Sequence, residues 1–153
     1  MRDYFVEPLS AVSLASAYPL IRLAAPGIAL ATWKRQAKAV IDKRHRGAKG
    51  ILIARPAQRP YICGMVWYRA EFDLVKGRVL HAYNLVAIDL LDSEAIILHL
   101  MLALGPVARL NGCVWVNIIM PDGCAASKDV HHAADRLASA SAVAHCLEVG
   151  FAA

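Results

Sequence analysis

Two long β-favouring runs joined by a short polar turn constrain this chain more than any other feature. Tyr61 to Glu71 is dense in β-branched and aromatic residues, Phe72 to Gly77 is a polar turn ending in glycine, and Arg78 to Asp89 is a second long run. Such runs around a glycine-bearing turn predict a hairpin, with Val79–Ile88 a central strand paired antiparallel to Ile62–Tyr68. Asp92, Ser93 and Glu94 then open an apolar stretch through Leu104, with the acids placed where a helix start favours negative charge. After Asn111-Gly112, Cys113–Ile119 is a short continuous β run.

The flanking segments read as mixed structure. Tyr4–Pro8 is a short strand broken by proline, and Ser10 or Ser13 caps a helix to about Leu23 that contains Pro19. Leu30–Lys43 is a second helix with Trp33, Ala37, Val40 and Ile41 on one face, and Gly50–Ala54 is a strand. Gly105-Pro106 is expected to end or kink the helix that starts near Ser93, with Val107–Leu110 continuing as a last turn before Asn111-Gly112. His131–Leu147 is alanine-rich and reads as helix, with a short strand near Phe151. The expected order is β-α-α-β-β-β-α-β-α. That is an α/β class with a mixed, mostly antiparallel central sheet flanked by helices, not a regular doubly wound alternation.

Composition narrows the setting. At 153 residues the chain is expected to form one domain over 1–153. Its apolar fraction is 58% and its mean hydropathy +0.44, yet no apolar run approaches the ~20 residues that span a bilayer. With no signal-peptide pattern at the start, a cytoplasmic protein without a membrane partner is expected, its excess apolar surface buried in a homo-oligomer interface. Cys63, Cys113, Cys124 and Cys146 show no paired spacing, which fits reduced thiols. Much of the net charge of +5 sits in Lys34–Lys38 and Lys43–Lys49. That block is either a solvated face or a docking site for a phosphate-bearing ligand or acidic partner. It lacks the interleaved aromatics that nucleic-acid binding uses, so no nucleic-acid partner is expected.

The element order, together with the terminal Gly150-Phe151, resembles the GCN5-related N-acetyltransferase (GNAT) superfamily. Members often end with an Asn, an Ala, an aromatic–Tyr pair and Gly-Phe. Here Ser139 stands at the Asn, Ala142 at the Ala, and His145-Cys146 at the pair. The resemblance covers nearly the whole chain in element order. It implies a GNAT-like fold, acetyl-coenzyme A as cofactor, and transfer of its acetyl or another acyl group to a small-molecule or peptide amine. It also implies that Leu85, Val86, Ala87 and Ile88 supply the backbone facing pantetheine, and that Cys146 takes the position of the acid that protonates the leaving thiolate. In the family, a glycine-rich loop before the third helix cradles the pyrophosphate. The matching segment here, Asp89–Glu94, has no glycine and three carboxylates, and would place Asp92 and Ser93 at the phosphates. Its charge predicts a weak cofactor grip and leaves a second reading open, a non-catalytic binding or dimerisation module of the same fold.

Amine acylation needs a base for the incoming ammonium. His81 has the right unperturbed pKa, with Glu71, Asp73 and Asp89 as further choices. Cys146 can equally be a small core residue. Asp129, His131, His132 and Asp135 cluster on one helix, but adjacent histidines diverge by about a third of a turn, so no metal site is assigned. Trp67, Tyr68 and Trp115 fit either the core or an aromatic-lined cleft.

Overall fold

The computed structural model describes residues 3–89, 92–120, 126–139 and 147–151. The strands are β1 (Tyr4–Pro8), β2 (Lys49–Pro56), β3 (Gly64–Asp73), β4 (Gly77–Ala87), β5 (Trp115–Met120) and β6 (Leu147–Phe151), and the helices α1 (Leu14–Ala24), α2 (Leu30–Ile41), α3 (Ser93–Leu110) and α4 (Ser127–Ser139). The strands form one sheet in the order β1-β2-β3-β4-β5-β6. β1 to β4 are antiparallel neighbours, whereas β5 runs parallel to both β4 and β6. The expected hairpin is present, with Gly64 opposite Ala87 and Asp73 opposite Gly77.

The sheet is covered on both faces, which is why β2 reads as an unbroken apolar run rather than an alternation. Leu52 and Ala54 join Val66, Leu80, Ala82 and Ile118 under Ile96, Ile97, Leu100 and Leu104 of α3. Ile51, Ile53 and Met65 point the other way, against Leu14, Ala17 and Leu20 of α1 and Trp33 and Ala37 of α2. Trp33 also donates its indole N–H to the Leu14 carbonyl at 2.8 Å, tying α2 to α1. Ala54, Gly64 and Ala87 lie side by side across three strands, a row of small residues that lets α3 approach the sheet closely. A Cβ on Gly64 would run into Ile96.

Three expectations need correcting. Gly105-Pro106 does not end α3, which runs unbroken to Leu110. The carbonyl that Pro106 leaves without its N–H partner belongs to Leu102, and both residues are exposed, so water replaces the lost bond. α3 has 18 residues with mean hydropathy 1.4, and half of it is buried as the core helix. The last helix begins at Ser127 rather than His131, and Leu147, expected to lie in it, opens β6 beside Val116. Alanine-rich composition favours helix, but pairing along β5 decides the state of the final segment.

Candidate functional site

β4 and β5 form a fork. Their parallel ladder runs from Val79↔Trp115 to Ala82↔Ile118 and stops there. β4 continues beside β3 to Ala87, while β5 continues beside β6 to Met120, so the two strands part beyond Ala82 and Ile118. A β-bulge sits at the divergence. Met65 pairs with Val86 and Trp67 with Tyr83, so Val66 faces two residues, Asn84 and Leu85. Asn84 takes the left-handed conformation (φ 50°), which asparagine tolerates better than most residues. The extra residue increases local twist and carries β4 away from β5.

The bulge sets which groups face the gap. The Ile88 N–H donates to the Cys63 carbonyl at 2.9 Å, so Ile88 is tied to β3. By the alternation of an antiparallel ladder, Val86 also bonds toward β3, while the peptide groups of Leu85 and Ala87 point into the gap. Leu85 and Ala87 pack their side chains under α3, and Val86 packs on the α1/α2 face. Of the four positions expected to offer backbone to an extended ligand, Leu85 and Ala87 are placed to do so. Ile88 has its N–H committed, and Val86 is turned away.

A polar and aromatic row crosses the α1/α2 face at the mouth of the fork. His81 lies beside Asn117 in the β4–β5 register and beside Arg69 in the β3–β4 register. Its Nε2 is 3.5 Å from Glu71 Oε2, and its Nδ1 is 3.4 Å from Asn117 Nδ2. Glu71 is also held by Arg69, whose Nε approaches to 2.7 Å but off the line a hydrogen bond needs, so that contact is ionic. The Arg69 guanidinium lies over the Tyr83 ring at 5.0 Å, and Tyr83, Trp67 and Trp33 follow at about 6 Å spacing. Asn117 Oδ1 and Trp67 Nε1 are buried with no hydrogen-bond partner among the described residues. Buried polar groups are normally satisfied, so an orphan acceptor and an orphan donor on one face mark a place for a polar ligand. As placed, the Asn117 NH2 meets the Nδ1 lone pair and its oxygen is the end that remains available.

The start of α3 is different in character. Asp92 accepts the Tyr4 hydroxyl at 2.6 Å, and the Ser93 hydroxyl donates to Asp129 of α4 at 2.7 Å. Glu94 pairs with Arg136 at 3.2 Å and lies 3.9 Å from His132 Nδ1. Burial, then the bond to Asp92, pushes the Tyr4 phenol well above its ordinary value. Cys63 is raised to about 11, first by burial, with Asp89 and Asp92 adding to it. Arg109, a distant candidate to neutralise these acids, sits in the last turn of α3, roughly 24 Å along the helix axis from its start.

Of the four candidate bases, His81 and Glu71 come together. Asp73 lies in the β3–β4 turn, where the Lys76 and Val75 N–H groups bind its carboxylate and hold its pKa low. Asp89 lies by Tyr4 and Cys63 at the acidic end. Cys146 lies outside the described residues. Among the described residues, no three potential ligands gather to hold a metal. Of the aromatics, Trp67 lines the polar row, Tyr68 is core, and Trp115 has Lys76 Nζ 5.4 Å from its ring centre. Sequence reasoning missed Asn84, Asn117, Arg69 and Tyr83. The legible signal was Asn84 itself, a strand-poor residue at the point where the apolar positions shift from 80 and 82 to 85 and 87.

No family model matches the chain, and no curated protein sequence matches it. Solved structures do. An aminoglycoside N-acetyltransferase in complex with coenzyme A superposes with a TM-score of 0.71 at 14% identity, covering 87% of each chain. A transcriptional regulator from Bacillus halodurans gives 0.68 at 12% identity over 88% of this chain and 91% of that one. Glucosamine-6-phosphate N-acetyltransferase from Arabidopsis thaliana gives 0.60 at 12%, over 85% and 88%. At such identities the likeness is one of architecture, and the mixed six-stranded sheet with helices on both faces has the GNAT-like fold of these acetyltransferase structures.

Proposed function

We propose that this chain transfers an acyl group from acyl-coenzyme A to a small-molecule or peptide amine. The observation that carries the reading is the β4–β5 fork opening beside the paired His81 and Glu71. The cofactor would supply the acyl group as a reactive thioester. Leu85 and Ala87 would hold its pantetheine arm through peptide groups that have no partner on β5. Glu71, 3.5 Å away, would favour the proton on Nε2, and the lone pair then left on Nδ1 faces the Asn117 NH2, which the acceptor amine would displace. Nδ1 takes the proton that the acceptor ammonium must lose, and Glu71 stabilises the imidazolium that results. Asn117 and Trp67 would orient the acceptor through their unpartnered atoms. Two neighbours whose names specify an acceptor, an aminoglycoside and glucosamine-6-phosphate, are compatible with an amine substrate here.

The pyrophosphate does not fit the usual place. Asp92, Glu94 and Asp129 surround the start of α3, and the Ser93 hydroxyl is already donated to Asp129. This favours a second reading, a non-catalytic binding module on the same fold. Calorimetry and a turnover assay with acetyl-coenzyme A and a panel of amines separate the two. The enzyme reading expects a dissociation constant no better than roughly 100 μM, about −5.5 kcal/mol, with turnover that falls ~10²–10⁴-fold in His81→Ala. Absence of both binding and turnover leaves the binding module.

A further inference from the structure

The β3–β4 hairpin overhangs the rest of the sheet. β2 begins at Lys49 opposite Arg69, and β5 begins at Trp115 beside Val79, so the ribbon projects beyond its neighbours on both sides. From Ala70, whose N–H still bonds the Ala48 carbonyl, to Asp73 that overhang is roughly 10 Å on the β2 side, while on the β5 side the Val114 N–H still bonds the Arg78 carbonyl and only the turn projects. The turn read as polar from the sequence carries an apolar tip, with Phe72 71%, Leu74 94% and Val75 93% exposed. The tip is not a frayed end. Asp73 Oδ1 accepts the N–H groups of Val75 and Lys76 at 2.8 Å each, which fixes the turn with Leu74 and Val75 pointing outward.

Cations surround the base of this ribbon. Lys76 and Arg78 lie on it, and the Arg78 Nε–H bonds the Asn111 carbonyl at 2.8 Å. The Asn111 amide in turn reaches the Gly47 carbonyl at 3.1 Å, which brings the basic connection from Lys43 to Lys49 to the same end. Of the carboxylates there, Asp42 is engaged by Arg44, Glu71 by Arg69, and Asp73 by the turn's own Val75 and Lys76 N–H groups. Asp92, Glu94 and Asp129 gather instead at the start of α3, the far end of the sheet.

We propose that this hairpin docks the protein on an anionic lipid surface, Leu74 and Val75 entering the headgroup boundary and the cations behind them meeting lipid phosphates and carboxylates. The overhang matches the ~5–10 Å depth to which interfacial elements bury apolar side chains. A second copy of the chain is a poor occupant, because tip-to-tip contact would bring two basic collars together. Nucleic acid would use the cations but gain little from aliphatic Leu74 and Val75, which cannot stack on bases. Docking this way turns the acidic end, and the open side of the fork, away from the lipid. The expectation of no membrane partner rested on the lack of a spanning run, and a surface-bound ribbon needs none.

Co-sedimentation tests this with vesicles of phosphatidylcholine alone and with about 30% phosphatidylserine at ~0.1 M salt. The wild type should pellet only with the anionic vesicles. Leu74→Ser/Val75→Ser should lower partitioning at least ~10-fold, and Lys43→Glu/Lys49→Glu at least ~25-fold, at roughly fivefold or more per cation lost. Unchanged thermal melts confirm that the variants fold, as expected for exposed side chains. The proposal is overturned if the wild type ignores anionic vesicles, including the case where light scattering shows a dimer that the Leu74/Val75 variant abolishes. It is equally overturned if that variant binds as well as wild type, which would mark a polyanion site blind to the apolar tip.

Discussion

Asn84 is the residue on which the shape of the fork depends, and its backbone allows a sharp test. It is an extra residue opposite Val66, held at φ 50° in a strand whose neighbours are extended. A left-handed backbone costs an L-residue with a Cβ roughly 1–2 kcal/mol, somewhat less for asparagine, and a β-branched side chain is the worst occupant. Asn84→Val should therefore destabilise by about 1–2 kcal/mol although the position is exposed and β-branched residues usually suit strands. Asn84→Gly removes the strain but loosens the unfolded chain, and these effects roughly cancel. With a urea m-value of about 2 kcal/mol/M, the valine variant should unfold ~0.5–1 M earlier than wild type while the glycine variant stays close to it. Deleting Asn84 should restore a regular ladder, in which Leu85 and Ala87 keep their buried face, so the fold survives while the strands no longer part. The expected result is a stable protein with no response to acetyl-coenzyme A. A valine variant as stable as wild type would refute the left-handed bulge, and a deletion variant that keeps any cofactor binding the wild type shows would refute its role in opening the fork.

Three further outcomes follow from the packing. Gly64→Ala should destabilise by about 1–3 kcal/mol, read as an earlier urea midpoint, because the new methyl meets Ile96 and lies 3.2 Å from Leu100 Cδ1. Cys63, with its pKa raised to about 11, should resist thiol reagents at pH 8 until the protein unfolds. An unfolded thiol ionises near pH 8.5, so above that the unfolded state binds fewer protons than the folded one, and Cys63 should make stability fall as pH rises from about 8.5 toward 11. The chain is expected to run as a homodimer or larger in light scattering at micromolar concentration, Phe5, Leu23 and Leu110 being among its exposed large apolar side chains; a monomer alone would remove the association argument.

The hairpin, the core helix and the order of elements were legible because each is encoded locally. Tyr61–Glu71 and Arg78–Asp89 carry β-favouring side chains around a glycine that adopts φ 78°, and α3 carries acids at its start and an unbroken apolar run. The last turn Val107–Leu110 was legible, but whether Pro106 would break α3 before it was not, since the cost of a proline depends on whether the freed carbonyl sees water, a tertiary fact. Leu147 in β6 is a similar case, because strand state there comes from pairing with Val116 across the sheet. In the site, His81 and Glu71 could be proposed one by one from side-chain chemistry. Their meeting depends on the hairpin register, which puts Arg69 opposite His81 and Glu71 opposite Val79, one step further along the same face. Asn117 could not be chosen at all without the parallel pairing of β5 to β4.

The two ends of the sheet make opposite electrostatic demands, and that bears on how a cofactor could enter. A pyrophosphate at the start of α3 would meet the charges of Asp92 and Glu94. At 5 Å in water each such pair costs about 0.8 kcal/mol per unit charge, and more where solvent is excluded. The helix end returns only ~0.3–1 kcal/mol for an exposed anion. The balance is unfavourable, but it acts on the phosphates alone. The pantetheine arm would lie along Leu85 and Ala87, where recognition runs through peptide groups and is insensitive to charge. An acyl carrier without a nucleotide diphosphate at that spot would therefore escape the penalty. Asp92→Asn/Glu94→Gln separates the two contributions. It should tighten acetyl-coenzyme A by roughly tenfold, the equivalent of ~1.4 kcal/mol, with the gain shrinking at high salt. It should leave a short pantetheine thioester unchanged, since that compound carries no pyrophosphate. Equal gains for both would mean that the carboxylates act by reshaping the fork through Tyr4 and Asp129, and not by repelling charge.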